Sequence, residues 1–542
     1  MTQLLYVPEF TVEDDEIIAP TTEFWMEYSE FAVDAAIGSS EEELPWLAPV
    51  REDLVKAVQA YVPKLSPPSP SVLRQWSGES LDRWKFFRDN IADFLGNIAS
   101  LPRTHFVQDF VFLAMKILPS KRWLDLEAVL FCLNSIAESL FMTELEQEAL
   151  SALMGSTLLS DVSGQGSAVP TSTKRAVLNL INEYSSFVKK HPAYIPPALT
   201  FLFTTLETTP ADQTKLADAA ARTFSSLCSY CRSALAEYLN ELLQQCPRAL
   251  AGPAANAYQK EKVMAALASV IQALPTEEAK AAPLLALVEV VERDLNTAVE
   301  SIQKGDIETG ETFGTTALQC LASIAKGIQA PEDVTVDLED GDEDKPRRAH
   351  QFWTAAEGSA VQQRILNCFN IVDYLQSQGE AIDAACEVLR SGLMETEPGP
   401  FVFPPSATVA FIRKARVTTP RIEDIVTTAC TFVSAYSRRS SPHAFDETFA
   451  IYQTIAQVMR DLQNPANDPQ LAQLCIDFLH RLLASYIDVL LAPSDQEISD
   501  VLNFAIQCLT GVSPMLKRSA SNFFVSPPSP LNLRSPFDKE YC

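Results

Sequence analysis

The pair Cys228-x-x-Cys231, in the stretch LCSYCRSAL, is a place in this 542-residue chain where residue type and spacing could do chemistry. Two cysteines one helical turn apart can be half a zinc site, a redox dithiol, or two small apolar residues in a core. A zinc site needs four ligands. No second C-x-x-C and no H-x-x-x-H-type pair completes one, because the five histidines, His105, His191, His350, His443 and His480, stand far apart. A redox dithiol sits exposed at a helix N-terminus that lowers its pKa. Here Ala220, Phe224, Leu227, Cys228, Cys231 and Leu235 fall at i, i+4, i+7, i+8, i+11 and i+15, which is one apolar stripe of a single helix. Both thiols are therefore expected deep in that helix, packed in the core.

Other chemical patterns fail in the same way. Gly305-x4-Gly310 has the spacing of a phosphate loop, but Glu311 follows where a lysine must reach the phosphates. Gly164-x-Gly166 lacks the third glycine and the preceding strand of a dinucleotide site. Neither a nucleophile elbow nor an H-E-x-x-H occurs, and the carboxylates are too numerous to single out an acid–base pair. No enzymatic activity, cofactor or metal is expected. One local feature does stand out. Glu332, Asp333, Asp337, Glu339, Asp340, Asp342, Glu343 and Asp344 crowd into EDVTVDLEDGDED with no basic residue between them. A calcium loop is rejected, since the glycine comes one position early and the twelfth-position glutamate is missing. The stretch reads as a solvated inter-helix loop over about 331–346, and also as a tethered polyanion that attracts a basic partner and speeds encounter.

The elements that carry these residues are helical. In LEAVLFCLNSIAESL, residues Leu126, Val129, Leu130, Leu133, Ile136, Ala137 and Leu140 keep i, i+3, i+4, i+7 spacing. Val263, Ala266, Leu267, Val270, Ile271 and Leu274 repeat it, and similar stretches lie near 84–95, 174–188, 216–231, 317–328, 363–375, 380–392, 422–436, 470–491 and 497–509. Alternating segments closed by hairpin turns are almost absent. Paired, the helices recur every roughly 40–50 residues, the period of HEAT-type hairpins, and each hairpin must stack on its neighbours to bury its apolar face. The expected fold is an all-α, HEAT/ARM-type helical-repeat solenoid, coiled as a right-handed superhelix. About ten to twelve hairpins would fill residues 1–525, ahead of a Ser/Pro-rich irregular tail over 526–542. Loops are expected at Pro63–Ser71 and Gly155–Ser172, and a stiff connection at Glu397–Pro405, EPGPFVFPP.

Composition agrees. Apolar residues make up 47% of the chain, ample for a core, and 17 glycines are under half the usual share of about 7%, too few for many hairpins or phosphate cradles. The formal net charge of −28 makes nucleic acid and anionic membranes poor partners and basic proteins good ones. Eleven cysteines scattered through apolar helical segments fit reduced, buried thiols. The first residues, MTQLLYVPEFTVEDDEII, lack the features of a signal peptide, and no apolar run reaches the roughly 20 residues of a membrane span. A soluble intracellular chain without membrane insertion is expected.

Several blocks resemble the importin-beta superfamily of nuclear transport receptors, in its transportin-SR and importin-thirteen branch, particularly the fungal members. They are WLDLEAVLFCLNSIAESL from Trp123, KRAVLNLINEYSSFVKKHP at 174–192, AARTFSSLCSYCRSALAEYL at 220–239, PGPFVFPP, and MLKRSASNFF over Met515–Phe524. Their collinear order makes the match more specific than any one of them. The resemblance implies a flexible superhelix that wraps protein cargo, basic cargo by the charge argument, on its concave face. It further implies weak contacts with Phe-Gly nucleoporins, shuttling between cytoplasm and nucleus, and protein import. Family members carry several hundred more residues before the segment that resembles Met1, and their main repeats for the GTPase Ran lie there. A truncated chain that starts mid-solenoid is thus expected, with its first forty residues poorly packed. The alternative reading is a HEAT-repeat scaffold or adaptor outside transport, such as a phosphatase or chromatin subunit, because solenoids host many functions.

Overall fold

A computed structural model describes residues 18–37, 45–101, 105–137, 142–164, 169–329, 351–395, 398–437 and 443–525. Among these every regular element is helical. Many helices start where a short polar side chain can accept from an unsatisfied N–H of the first turn. Ser77 Oγ accepts from Ser80 N at 3.0 Å, and Asp468 Oδ1 from Leu471 N at 3.0 Å with Pro469 in the first turn. Thr143–Glu146 and Ser494–Glu497 close reciprocal capping boxes. Each such cap contributes about 1 kcal/mol.

The chain divides into two compact units, Met1–Gln259 and Lys260–Cys542, with the division falling inside the helix Ala257–Gln272. Each unit is a two-layer stack of helical hairpins of the HEAT/ARM kind. In the first unit the second helices of successive hairpins, Ile18–Ala36, Gly78–Ala99, Trp123–Ser135, Thr171–Glu183 and Thr214–Tyr230, pack one on the next. Phe106–Ile117 lies in the other layer against Glu144–Met154, and Ile195–Thr208 against Leu239–Ala249. In the second unit Ile307–Gly327, Gly379–Met394, Ile422–Tyr436, Pro469–Ser485 and Pro514–Val525 form the corresponding row.

Apolar stripes supply the adhesion. Leu126, Val129, Leu130 and Leu133 are all at most 1% exposed, as are Leu178, Leu180 and Ile181 on the next second helix. Burying each such side chain is worth about 1.5–3 kcal/mol. Side chains also tie neighbouring second helices to each other's backbone. Thr173 Oγ1 donates to Trp123 O at 2.9 Å, Tyr184 Oη to Leu133 O at 2.9 Å, and Asn134 Nδ2 to Ala176 O at 3.0 Å. Such ties fix the sliding register that apolar contacts alone leave loose.

Four expectations are corrected. The first forty residues are not poorly packed throughout: among those described, the helix Ile18–Ala36 packs on Gly78–Ala99 and buries Trp25, Ser29 and Ala32. The segment Gly155–Ser172 is not one loop: it holds the helix Leu158–Gly164, whose Leu158, Leu159 and Val162 are buried at i, i+1, i+4 spacing. Pro63–Ser71 is likewise structured, with a 3-10 turn over Val62–Leu65 and a short helix Pro70–Leu73; Leu65 is fully buried and its carbonyl accepts from Arg88. The cysteine stripe does not run along one helix. Thr214–Tyr230 ends at Cys231, whose φ of −104° and ψ of 23° break the α geometry, and Leu235 belongs to the next short helix, Arg232–Leu235. Chain around 398–404, by contrast, is held as expected. Phe401 and Phe403 are buried, and Gln362 Nε2 donates to Gly399 O and Val402 O at 2.8 and 3.2 Å. The acidic segment 331–346 and the tail 526–542 lie outside the described residues, as do the first seventeen.

Candidate functional site

Cys228 and Cys231 are 0% and 2% exposed. Burial pushes the Cys228 thiol well above its ordinary value; it holds Cys231 at about 11, with Lys189 pulling the other way. Thiols of that kind are packing, because only the thiolate attacks or binds metal. Among the described residues no group of three or more His, Cys, Asp or Glu could hold a metal ion. The glycine pair has a mechanical role. Gly305, at φ +87°, turns the chain between the helices Glu277–Gln303 and Ile307–Gly327. A Cβ on Gly310 would stand 2.4 Å from Ile302 Cγ1 and 2.9 Å from Ala298 O, so its absence lets the two helices of the hairpin close. None of the eight acidic residues from Glu332 to Asp344 is among the described residues.

The structure brings together a set of residues that linear spacing does not reveal. In the first unit, the second helices Gly78–Ala99, Trp123–Ser135 and Thr171–Glu183 line a groove of about 1040 Å³. Pro67, Pro68, Val169 and Pro170 wall it. At its base Arg88 forms a two-pronged ion pair with Glu127, Nη1–Oε2 3.0 Å and Nη2–Oε1 2.9 Å, each side chain 9% exposed. Nη1 also donates to Leu65 O at 3.1 Å. The guanidinium carbon lies 4.0 Å from the Phe131 ring centre and 4.8 Å from that of Trp84. Both Nη groups of Arg88 are thus turned inward, and the aromatic faces lie around its guanidinium.

On the third helix the cations differ. Lys174 and Arg175 both line the groove, and neither makes an ion pair or side-chain hydrogen bond among the described residues. Burial lowers the Lys174 pKa. Asn179 is exposed one turn beyond Arg175, and Asn134 Oδ1 is buried with no hydrogen-bond partner.

In the second unit carboxylates gather on the helices Ala257–Gln272, Gly379–Met394 and Ile422–Tyr436. Glu261 is held above the usual carboxylate range by burial, with Glu380 and Glu387 adding to the rise against Lys262. Asp424 is raised by burial and then by Asp383, although Arg390 and Arg421 oppose it. Gln319 Nε2 donates to Glu380 Oε2 at 3.4 Å. The described residues therefore hold an acidic cluster, in which Arg390 lies 3.7 Å from both Asp383 Oδ1 and Asp424 Oδ1 while Glu261, Glu380 and Glu387 carry the remaining charge. Sequence reading missed it because helical spacing hides charges that lie on neighbouring helices.

Comparisons agree with this architecture. The profile of the Transportin-3/Importin-13 third TPR domain matches residues 157–245. "Importin beta-like protein kap111" of Schizosaccharomyces pombe is 22% identical over 432 residues, covering 76% of this chain and 40% of its own length. A solved structure of importin 13 in its cytosolic state superposes with a TM-score of 0.63 at 16% identity, over 96% of this chain and 61% of that one. This chain therefore spans less than two thirds of the length of either relative.

Proposed function

We propose that the chain is an importin-beta superfamily karyopherin that acts as a nuclear transport receptor and carries protein cargo into the nucleus. Cargo is bound on the face built from the second helices of the hairpins, the concave face of the solenoid by family resemblance. The observation that carries the reading is the match to an importin beta-like protein over 76% of the chain, combined with the helical-repeat architecture. Binding alone, without a chemical step, is the mode of action.

Basic cargo suits the acidic cluster of Glu261, Glu380, Asp383, Glu387 and Asp424, where neighbouring carboxylates add to the rise that burial gives Glu261 and Asp424 and a bound cation would relieve the repulsion. The polyanion Glu332 to Asp344 serves the same cargo by steering its approach. Passage through the pore uses Phe-Gly nucleoporins. Phe112, 71% exposed, and Leu145, 59% exposed, sit on adjoining helices of the other layer of the first unit and offer apolar ground for phenylalanine side chains. GTP-bound Ran is the proposed release signal of the full-length family. Cytoplasm and nucleus are the expected locations, with transient residence at the nuclear pore.

The test is retention on an immobilised Phe-Gly repeat protein. The unaltered chain should be retained, and Phe112→Ser with Leu145→Ser should weaken retention. An unretained chain would favour the scaffold or adaptor reading.

A further inference from the structure

The groove of the first unit is a poor match for basic cargo. Its charge comes from Lys174 and Arg175, which make no ion pair among the described residues although the whole chain carries a net charge of −28, and Glu183 at the far end of the same helix offsets only one of the two. Lys174 is also partly removed from water, which costs free energy unless an anion compensates. Beside these cations lie the rings of Trp84 and Phe131, set around Arg88, and two amides: Asn179, exposed, and Asn134, with a buried Oδ1 still able to accept a hydrogen bond.

We propose that this groove binds an extended acidic segment of a partner protein, carboxylates on Lys174 and Arg175, an apolar side chain against Trp84 and Phe131, and a main-chain N–H on Asn134 Oδ1. An amide that both donates and accepts suits a peptide backbone, whose groups alternate in the same way. A peptide fits better than nucleic acid, because two cations can neutralise few phosphates while the surrounding chain repels the rest. The surface is distinct from the cluster proposed for basic cargo, so it stands or fails apart from the transport reading.

Fluorescence anisotropy of a labelled hexapeptide DEFDEL, its neutral counterpart NQFNQL, and an oligouridylate tests it with the full chain. The unaltered chain should bind DEFDEL in a salt-sensitive manner and bind NQFNQL at least about tenfold more weakly. Lys174→Ala with Arg175→Ala should weaken DEFDEL by at least about tenfold, and Asn179→Glu, on the same exposed stripe, should weaken it too. Lys116→Ala with Lys121→Ala, away from the groove, should change nothing. Helicity by circular dichroism reports whether each variant is folded, and the Asn179→Glu result decides if the double variant is not. No binding of DEFDEL, equal binding of NQFNQL, indifference to both groove variants, or tighter binding of the oligouridylate would each overturn the proposal.

Discussion

Arg88 and Glu127 clasp the Gly78–Ala99 and Trp123–Ser135 helices together through two parallel hydrogen bonds of 3.0 and 2.9 Å. Burial raises the Glu127 pKa in spite of the attraction and hydrogen bonds from Arg88, so desolvation outweighs the pairing. The pair then contributes register more than stability. Removing one partner strands a buried charge, at a cost of about 3–5 kcal/mol, whereas replacing both by apolar residues of like volume is close to neutral. Glu127→Leu should lower the urea midpoint sharply, and adding Arg88→Met should restore most of it. If the double variant is no better than the single one, the pair is a stabilising contact and this account of it is wrong.

The buried thiols set an alkaline limit. Burial holds Cys132, Cys246, Cys368, Cys386, Cys430 and Cys508 at about 12 and Cys231 at about 11. These values are raised above the unfolded value of about 8.5, so the contribution is fully present below that pH. Above it the unfolded chain loses protons that the folded chain keeps, and stability falls until the folded values are passed. Unfolding free energy should therefore decline between about pH 8.5 and 12. In a Cys542→Ser background, iodoacetamide should label the native chain slowly at neutral pH, with Cys231 first among the residues named. Rapid labelling of Cys228 and Cys231 together would indicate an open dithiol.

Glycines with close backbone neighbours should be intolerant, and one with open space and ordinary φ indifferent. A Cβ on Gly392 would stand 1.8 Å from Phe401 O, and one on Gly310 2.9 Å from Ala298 O, both backbone atoms that cannot swing aside. Gly392→Ala and Gly310→Ala should each cost about 1–3 kcal/mol or more. Gly78, with open space around it, should accept alanine with little change in thermal unfolding. A loss at Gly78 equal to that at Gly392 would contradict the packing argument.

Periodicity made the helices legible, because an apolar residue every three or four positions has few other uses. It could not show where a stripe stops being one helix. Cys231 keeps the spacing of Leu227 and Leu235, yet the chain kinks there, since burial is satisfied equally by a second short helix. Proline-rich segments misled in the opposite direction: Pro67 and Pro68 are buried walls of the groove, not solvent-facing linker. The groove itself was out of reach of spacing. Arg88 and Glu127 are 39 positions apart, and nothing local in either block says that they meet.

Neutralising the polyanion should change rate more than affinity. Replacing Asp333, Asp337, Glu339, Asp340, Asp342, Glu343 and Asp344 by Asn or Gln should slow association with a basic cargo at low salt and flatten its salt dependence, while helicity is kept. Each charge contributes only roughly a few tenths of a kcal/mol if solvated. Unchanged association rates across the salt range would make the segment a connector only.

Entry of the fluorescently labelled chain into nuclei of permeabilised cells, beside an inert protein of the same mass, tests the central claim most directly. A transport receptor should gather at the nuclear rim, enter faster than the inert protein, and raise the nuclear signal of a basic cargo added with it. Entry no faster than the inert control, with no rim signal and no effect on cargo, would contradict the assignment of this chain as a nuclear transport receptor.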